Sequence, residues 1–233
     1  MAMDIEQIKT LLAKPIAKLT AGGFRPTYQE TESWLGKVSL FAPGEAIPLD
    51  DAGKPMLPLA QLCIPALPVI SPRLADTRLL TVFISATLPE PFEAMGANWL
   101  VREYGHGDLL IRQDFLPQGP SLKAFPLQAE RIDEDYPLWD SGDIPLELES
   151  EILRQEKAGK IAGYYDLTCH TYTHKIGGYP SYCQSGVDLG EGFEFVFQIA
   201  SDSKIHLNII DNGCLMFWKH KTTGQWALYY DFY

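Results

Sequence analysis

The first twenty residues have a helical pattern of apolar positions. Isoleucine and leucine recur at spacings of three and four over residues 4–20, which places them on one face of an amphipathic helix. Asp4 and Gln7 have the spacing of a capping box, and a pair of glycines follows as a stop signal. Pro15 interrupts the pattern, so we expect this helix to be kinked or divided there.

Beyond residue 30 the pattern changes to short strands separated by turns. The clearest run covers residues 78–86 and is rich in β-branched and aromatic side chains. Further strands are predicted at 34–41, 57–64, 99–104, 108–113, 194–200, 205–210, 214–219 and 226–233. In the last of these the apolar residues alternate, which predicts one apolar face. The chain is therefore expected to be α+β, with antiparallel-rich sheets and few helices.

A second helix is predicted at the end of a strongly acidic segment. Residues 130–151 hold nine acidic side chains and one basic side chain, Arg131. Asp143 is expected to cap the helix, Pro145 suits its first turn, and Gly159 should end it. The apolar positions expected to face inward are Leu148, Ile152 and Leu153.

The two halves of the chain repeat one order of features. Each half has a helix, a glycine-containing strand or turn, an apolar strand with an embedded glutamine (Gln61 or Gln198), and an aromatic strand. This order predicts an internal duplication of an α+β unit. We expect one domain over residues 1–233, built from pseudo-repeats of roughly 1–125 and 140–233, because a single core can grow to about 250 residues.

Three motifs of the second half carry a family resemblance. Residues 174–180 read His-Lys-Ile-Gly-Gly-Tyr-Pro and are followed by Gln184; residues 197–202 read Phe-Gln-Ile-Ala-Ser-Asp; and residues 210–213 read Ile-Asp-Asn-Gly. They resemble the YwqG-like family of bacterial proteins of unknown function. His174 stands where that family has Ser or Thr, and the third motif lacks its first glycine. The resemblance implies a duplicated α+β fold and carries over no catalytic residue.

The net charge and the cysteine content indicate which kinds of partner and which cellular compartment to expect. The formal net charge is −11, which argues against binding to nucleic acid or to an anionic membrane surface and favours a basic partner. The four cysteines are widely spaced without a C-x-x-C pair, as is typical of a reducing compartment. With no leader pattern and no apolar run of 18 residues, we expect a cytoplasmic protein.

Two further candidate sites lie near Gly177 and Gly178. His170 and His174 would share one face of a strand over residues 170–174 and could bind zinc with Asp166 or Cys169, or could make structural hydrogen bonds instead. Lys175, Gly177, Gly178 and Gln198 could bind a ligand, since paired glycine amides can cradle an anion; a tight turn is the alternative reading. We expect no cofactor.

The acidic segment is the predicted partner-binding region, since it combines carboxylates with the aromatic residues that interfaces favour. The residues concerned are Asp133, Glu134, Asp135, Tyr136, Trp139, Asp140 and Asp143. Motifs for nucleophilic, nucleotide-dependent or zinc-protease catalysis are absent from the sequence. The leading hypothesis is a non-enzymatic domain that binds a basic protein, as an immunity protein neutralising a bacterial toxin or effector, and that is a monomer or weak dimer. The alternative is an enzyme, or a small-ligand or metal-binding protein, with its site between the repeats.

Overall fold

The computed structural model describes residues 3–113 and 122–233. Two α-helices, α1 (Ile5–Leu12) and α2 (Leu146–Lys157), accompany twelve strands in the described residues. The strands are β1 (Lys14–Ala21), β2 (Trp34–Leu35), β3 (Leu40–Phe41), β4 (Leu57–Cys63), β5 (Thr77–Ile84), β6 (Trp99–Gly105), β7 (Ile111–Arg112), β8 (Phe125–Asp135), β9 (Lys175–Gly177), β10 (Phe193–Ala200), β11 (Cys214–His220) and β12 (Trp226–Asp231). The sheet-rich α+β character expected from the sequence is confirmed.

Ten of these strands form one antiparallel sheet. Its order is β12-β11-β10-β9-β1-β8-β2-β4-β5-β6, and β3 pairs with β7 separately. β1 and β8 lie at the centre of the order and pair along most of their length, from Lys14 opposite Asp135 to Ala21 opposite Leu127. The end of β8 is thereby brought beside the start of β1.

The predicted helix over residues 4–20 is wrong beyond residue 12. Its capping box is present, since the Gln7 N–H donates to Asp4 Oδ1 at 2.8 Å and the Asp4 N–H donates to Gln7 Oε1 at 3.0 Å. After Ala13 the chain becomes β1, where Ile16 and Ala17 are fully buried. Pro15 cannot continue a helix, and pairing with β8 on one side and β9 on the other satisfies the backbone instead.

The acidic segment begins as a strand that the sequence did not reveal. β8 runs to Asp135, and α2 begins only at Leu146, with Pro145 as its N-cap residue. Asp143 is therefore not the cap. Leu148 and Ile152 are buried as predicted, whereas Leu153 is 52% exposed. Gly159 follows the C-cap residue with a φ of 69°, as expected of a helix-ending glycine.

Most of the other predicted strands are confirmed within a few residues. The predicted strand over 34–41 is divided into β2 and β3, and that over 108–113 is reduced to β7. The predicted strand over 205–210 is wrong, because this segment makes one isolated bridge, between Asp202 and Leu207. Ile205, Leu207 and Ile209 nevertheless pack into the main core.

The large sheet curls until side chains from its two ends meet. Glu103 on β6 accepts hydrogen bonds from Trp226 Nε1 at 2.9 Å and from Lys219 Nζ at 2.7 Å. Trp99 on β6 contacts Phe217 on β11, with ring centroids 6.2 Å apart. The main core fills the inside of this curl, and a smaller core lies between α1 and α2.

In the described part of the chain, no helix is long and apolar enough to cross a membrane.

Candidate functional site

A cluster of polar side chains lies inside the protein where β8, β9 and β10 approach each other. We call Asp135, His170, Lys175, Ser181 and Gln198 the buried polar network. Lys175 and Asp135 are both fully buried, and Lys175 Nζ lies 2.8 Å from Asp135 Oδ2. Burial lowers the pKa of Lys175, and the adjacent Asp135 carboxylate opposes that shift. A buried charge needs such a partner.

The glycine pair predicted to cradle an anion lies beside the chain's own Asp135, whose hydrogen bonds come from neighbouring residues. The Asp135 carboxylate accepts the backbone N–H of Tyr179 at 3.1 Å and that of Thr171 at 2.7 Å. Gly178 has a φ of 72°, and a Cβ there would overlap with the Asp135 carboxylate. Gly178 is thus required both by its backbone conformation and by this close approach.

His170 connects this pair to Ser181. Its Nδ1 lies 2.6 Å from the Tyr136 carbonyl oxygen, which can only accept, so Nδ1 carries the proton. Nε2 is then the acceptor, 2.7 Å from Ser181 Oγ and 3.4 Å from Lys175 Nζ. Burial and then the charge of Lys175 lower the pKa of His170 to about 4. The imidazole is therefore neutral at neutral pH.

Gln198 and Gln61 each satisfy backbone groups of a neighbouring loop. Gln198 Oε1 accepts the Ser181 N–H at 3.0 Å, and Nε2 donates to the Thr173 carbonyl at 2.9 Å. Gln61 Oε1 accepts the N–H groups of Ser39 and Leu40 at 2.9 and 3.1 Å. Both buried amides hold loops in place.

A surface cleft of about 450 Å³ lies over this network. We call it the tyrosine cleft. Its described lining residues are Leu138, Asp140, Tyr165, Tyr172, Tyr182, Cys183, Gln184, Ser185 and Tyr233. The rings of His170 and Tyr172 are in contact, with centroids 4.7 Å apart, so the network supports one wall of the cleft directly.

The family described as a domain of unknown function (DUF1963) matches residues 33–223, which is most of the chain. The chain belongs to the DUF1963 family. Among curated proteins no match is found.

Two of the residues predicted to contact a partner lie in the interior of this DUF1963 domain. Asp135 is the buried partner of Lys175, and Tyr136 is 1% exposed. Asp135 is the last residue of β8, and Tyr136, which follows it, packs into the smaller core between α1 and α2. The other predicted contact residues are accessible: Asp133, Glu134, Asp140 and Asp143 are exposed, and Trp139 is half-buried.

The two histidines predicted as metal ligands have separate hydrogen-bond partners in the DUF1963 domain. Residues 170–174 form a loop and not the predicted strand. His174 is buried; its Nε2 faces Asp202 Oδ2 at 3.2 Å, and its Nδ1 accepts the Ala200 N–H. Of the described residues, no three or more His, Cys, Asp or Glu side chains are grouped to hold a metal ion.

Sequence reasoning singled out Lys175, Gly178, His170 and Gln198 but missed the tyrosine cleft. Tyr165 lies in a short 3-10 helix (Tyr164–Asp166), Tyr172 and Tyr182 lie in two different loops, and Tyr233 follows β12. Residues that converge only in space leave no local spacing to detect. Ser181 directly follows the motif at residues 174–180, but nothing in the sequence shows that it lies between His170 and Gln198.

Proposed function

We propose that this DUF1963 domain is a non-enzymatic binding module for a basic protein. The observation that carries the proposal is the set of exposed carboxylates next to Trp139. Within the described residues, the surface ion pairs made by acids of residues 130–151 are Asp133 with Arg131 and Glu151 with Arg154. Asp140, Asp143 and Glu147 remain exposed outside such pairs.

The net charge of the whole chain favours the same kind of partner. At −11, the domain attracts a basic protein over a distance of about one Debye length, roughly 8 Å at physiological salt. Such attraction increases the association rate and the specificity of binding more than it increases the final affinity. Trp139, which is half-buried against Tyr164 at a centroid distance of 5.2 Å, supplies the apolar contact.

We also infer that the domain is a duplicated unit of the YwqG-like type. Reading outward from the central pair, the sheet continues as β9-β10-β11-β12 on one side and as β2-β4-β5-β6 on the other. Gln198 lies opposite Lys175 in the first set, and Gln61 lies opposite Trp34 in the second. In both sets the glutamine accepts an N–H from the segment that follows a glycine, which is Gly177 at the end of β9 and Gly36 directly after β2. These equivalent positions support the duplication.

The sequence predicts a narrower role, which is the neutralisation of a basic bacterial toxin or effector in the cytoplasm. This role is one form of the proposed binding. Its support is the acidic surface together with the free state of all four cysteines, Cys63, Cys169, Cys183 and Cys214. Free thiols are typical of a reducing compartment.

The test is affinity purification of the tagged domain from its native cells at low and at moderate salt, followed by mass spectrometry. We expect one basic protein in stoichiometric amount that is released by moderate salt. The double variant Asp133→Lys and Asp140→Lys should lose it. The matched control, Asp51→Lys with Glu191→Lys, reverses two exposed charges elsewhere and should retain it. Equal capture by both double variants would contradict the proposed surface.

A further inference from the structure

We propose that the tyrosine cleft receives the guanidinium group of an arginine side chain from the basic partner. This inference rests on the proposed function and names the chemistry that the partner presents. Its basis is the combination of aromatic walls, a carboxylate at the rim and a rigid support beneath.

The walls of the cleft contain three solvent-exposed tyrosine side chains. Tyr165, Tyr172 and Tyr233 are 61%, 50% and 72% exposed, and all three line the same cleft. Tyr182 closes it from inside and is buried. The faces of tyrosine rings attract cations, and this attraction strengthens when water is excluded.

The charges around the cleft have one sign. Asp140 is exposed at its rim, and none of the described residues that line it is Lys or Arg. Behind the lining, the buried Asp231 accepts the N–H groups of Cys183 and Gln184 at 2.8 and 2.9 Å. Burial, followed by the negative charge of Asp143, raises the pKa of Tyr182. An anion would be repelled there, and a cation would be attracted.

The loops that form the cleft are held in position before any ligand arrives. Gln198 Nε2 donates to the Tyr172 carbonyl at 3.3 Å, and Tyr165 Oη accepts the Trp139 N–H at 3.3 Å. Ser181, within the buried polar network, directly precedes Tyr182. A preformed cleft lowers the entropic cost of binding a single side chain.

Arginine fits this arrangement better than lysine. Its planar guanidinium can stack on a tyrosine ring while its N–H groups donate to a carboxylate such as Asp140, and it gives up water more readily than an ammonium group does. Gln184 and Ser185 also line the cleft, and their side chains are of types that can accept hydrogen bonds.

The experiment titrates the full chain with Nα-acetyl-arginine amide and follows backbone amide shifts by NMR. Nα-acetyl-citrulline amide serves as the neutral isostere, and Nα-acetyl-lysine amide as the other cation. We expect the arginine compound to bind with a dissociation constant on the order of millimolar and to shift residues around the cleft. The lysine compound should bind about threefold more weakly or worse, and the citrulline compound at least about tenfold more weakly.

Variants locate the binding. Tyr172→Leu, Tyr233→Leu and Asp140→Asn should each weaken arginine binding by about threefold or more, the size expected of one cation–π or charged contact. Tyr28→Leu, which alters a tyrosine of similar exposure outside the cleft, should bind as the wild type does. Tyr233 is 72% exposed, so its replacement tests the cleft without disturbing the core.

Three results would overturn the inference: equal binding of the arginine and citrulline compounds, shifts outside the cleft, or unchanged affinity in the cleft variants. Any of these could occur while the partner is still captured at residues 133 and 140. Failure of the cleft is therefore distinguishable from failure of the proposed function.

Discussion

The Lys175–Asp135 pair shows how much a single buried charge depends on its neighbour. Both side chains are fully buried, and Asp135 accepts hydrogen bonds from three donors: Lys175 Nζ and the N–H groups of Thr171 and Tyr179. Because the Thr171 and Tyr179 donors lie in the loops on either side of β9, the carboxylate fixes both loops. The same loops continue into the walls of the tyrosine cleft.

Replacing Asp135 by Asn should lower the free energy of unfolding by about 3–5 kcal/mol, because Lys175 would remain buried without a counter-charge. Urea denaturation measures this. Asp133→Asn removes an exposed pair with Arg131 and should change stability by less than about 1 kcal/mol. The double variant Asp135→Asn with Lys175→Met should recover part of the loss. No recovery would mean that the backbone contacts of Asp135, and not the charge pair, carry its effect.

His170 gives the domain a defined response to acid. Its pKa is lowered from 6.5 to about 4 in the folded protein, so the unfolded chain binds a proton between these pH values that the folded chain does not. The stability contributed by the neutral histidine is therefore present above about pH 6.5 and is lost as the pH falls to about 4. The expected loss is on the order of 2–3 kcal/mol.

In urea denaturation between pH 7 and pH 4, the His170→Gln variant should show a flatter dependence of unfolding free energy on pH than the wild type. His106→Gln, a change at an exposed histidine, should run parallel to the wild type. Parallel curves for wild type and His170→Gln would show that another group causes the acid response.

At the scale of elements, the strands that have a clear local pattern of apolar residues could be predicted from the sequence. The central pair of strands, β1 and β8, could not. β5, β10 and β11 have continuous apolar runs, and the sequence located them. β1 carries an apolar spacing that also suits a helix, and only its pairing with two neighbours makes it a strand. Apolar and polar residues alternate only weakly in β8, and the strand ends in acidic residues. Its sequence therefore resembles that of a solvent-exposed segment. The position of Asp135 could not be predicted, because it follows from β8.

Glu103 joins the two ends of the large sheet. Besides Lys219 and Trp226, its carboxylate accepts a hydrogen bond from Thr77 Oγ1 at 2.8 Å. Glu103→Ala should lower the free energy of unfolding by about 2–3 kcal/mol, since it leaves these half-buried donors without their acceptor. Hydrogen exchange of β12 amides should become faster at the same time.

The matched control is Glu30→Ala, which removes an exposed pair with Arg78 and should have little effect. If Glu103→Ala leaves exchange in β12 unchanged, packing such as that of Trp99 against Phe217 holds the sheet ends together without it.

At the scale of the whole molecule, one curled sheet and one main core link the two halves. That core draws residues from β1, β4 and β5 as well as from β10, β11 and β12. The first and second halves of the chain therefore share one main core.

We expect a single cooperative unfolding transition in calorimetry, with the calorimetric and van't Hoff enthalpies in agreement. Tryptophan fluorescence reports on both halves, through Trp34 and Trp99 in one and Trp218 and Trp226 in the other, and should share its midpoint with far-UV circular dichroism. Two separate transitions would indicate that the halves unfold independently.

The Asp135 carboxylate, which accepts the N–H groups of Thr171 and Tyr179, has a consequence for soluble anions. Asp135 is tethered beside these donors, and tethering gives a group an effective concentration of millimolar or higher, on the order estimated for short linkers. A metabolite carboxylate or phosphate would have to displace the end of a central strand and strip Lys175 of its counter-charge. Because Asp135 is part of the chain, it outcompetes soluble anions for this position. Its contacts therefore stabilise the fold without any bound anion.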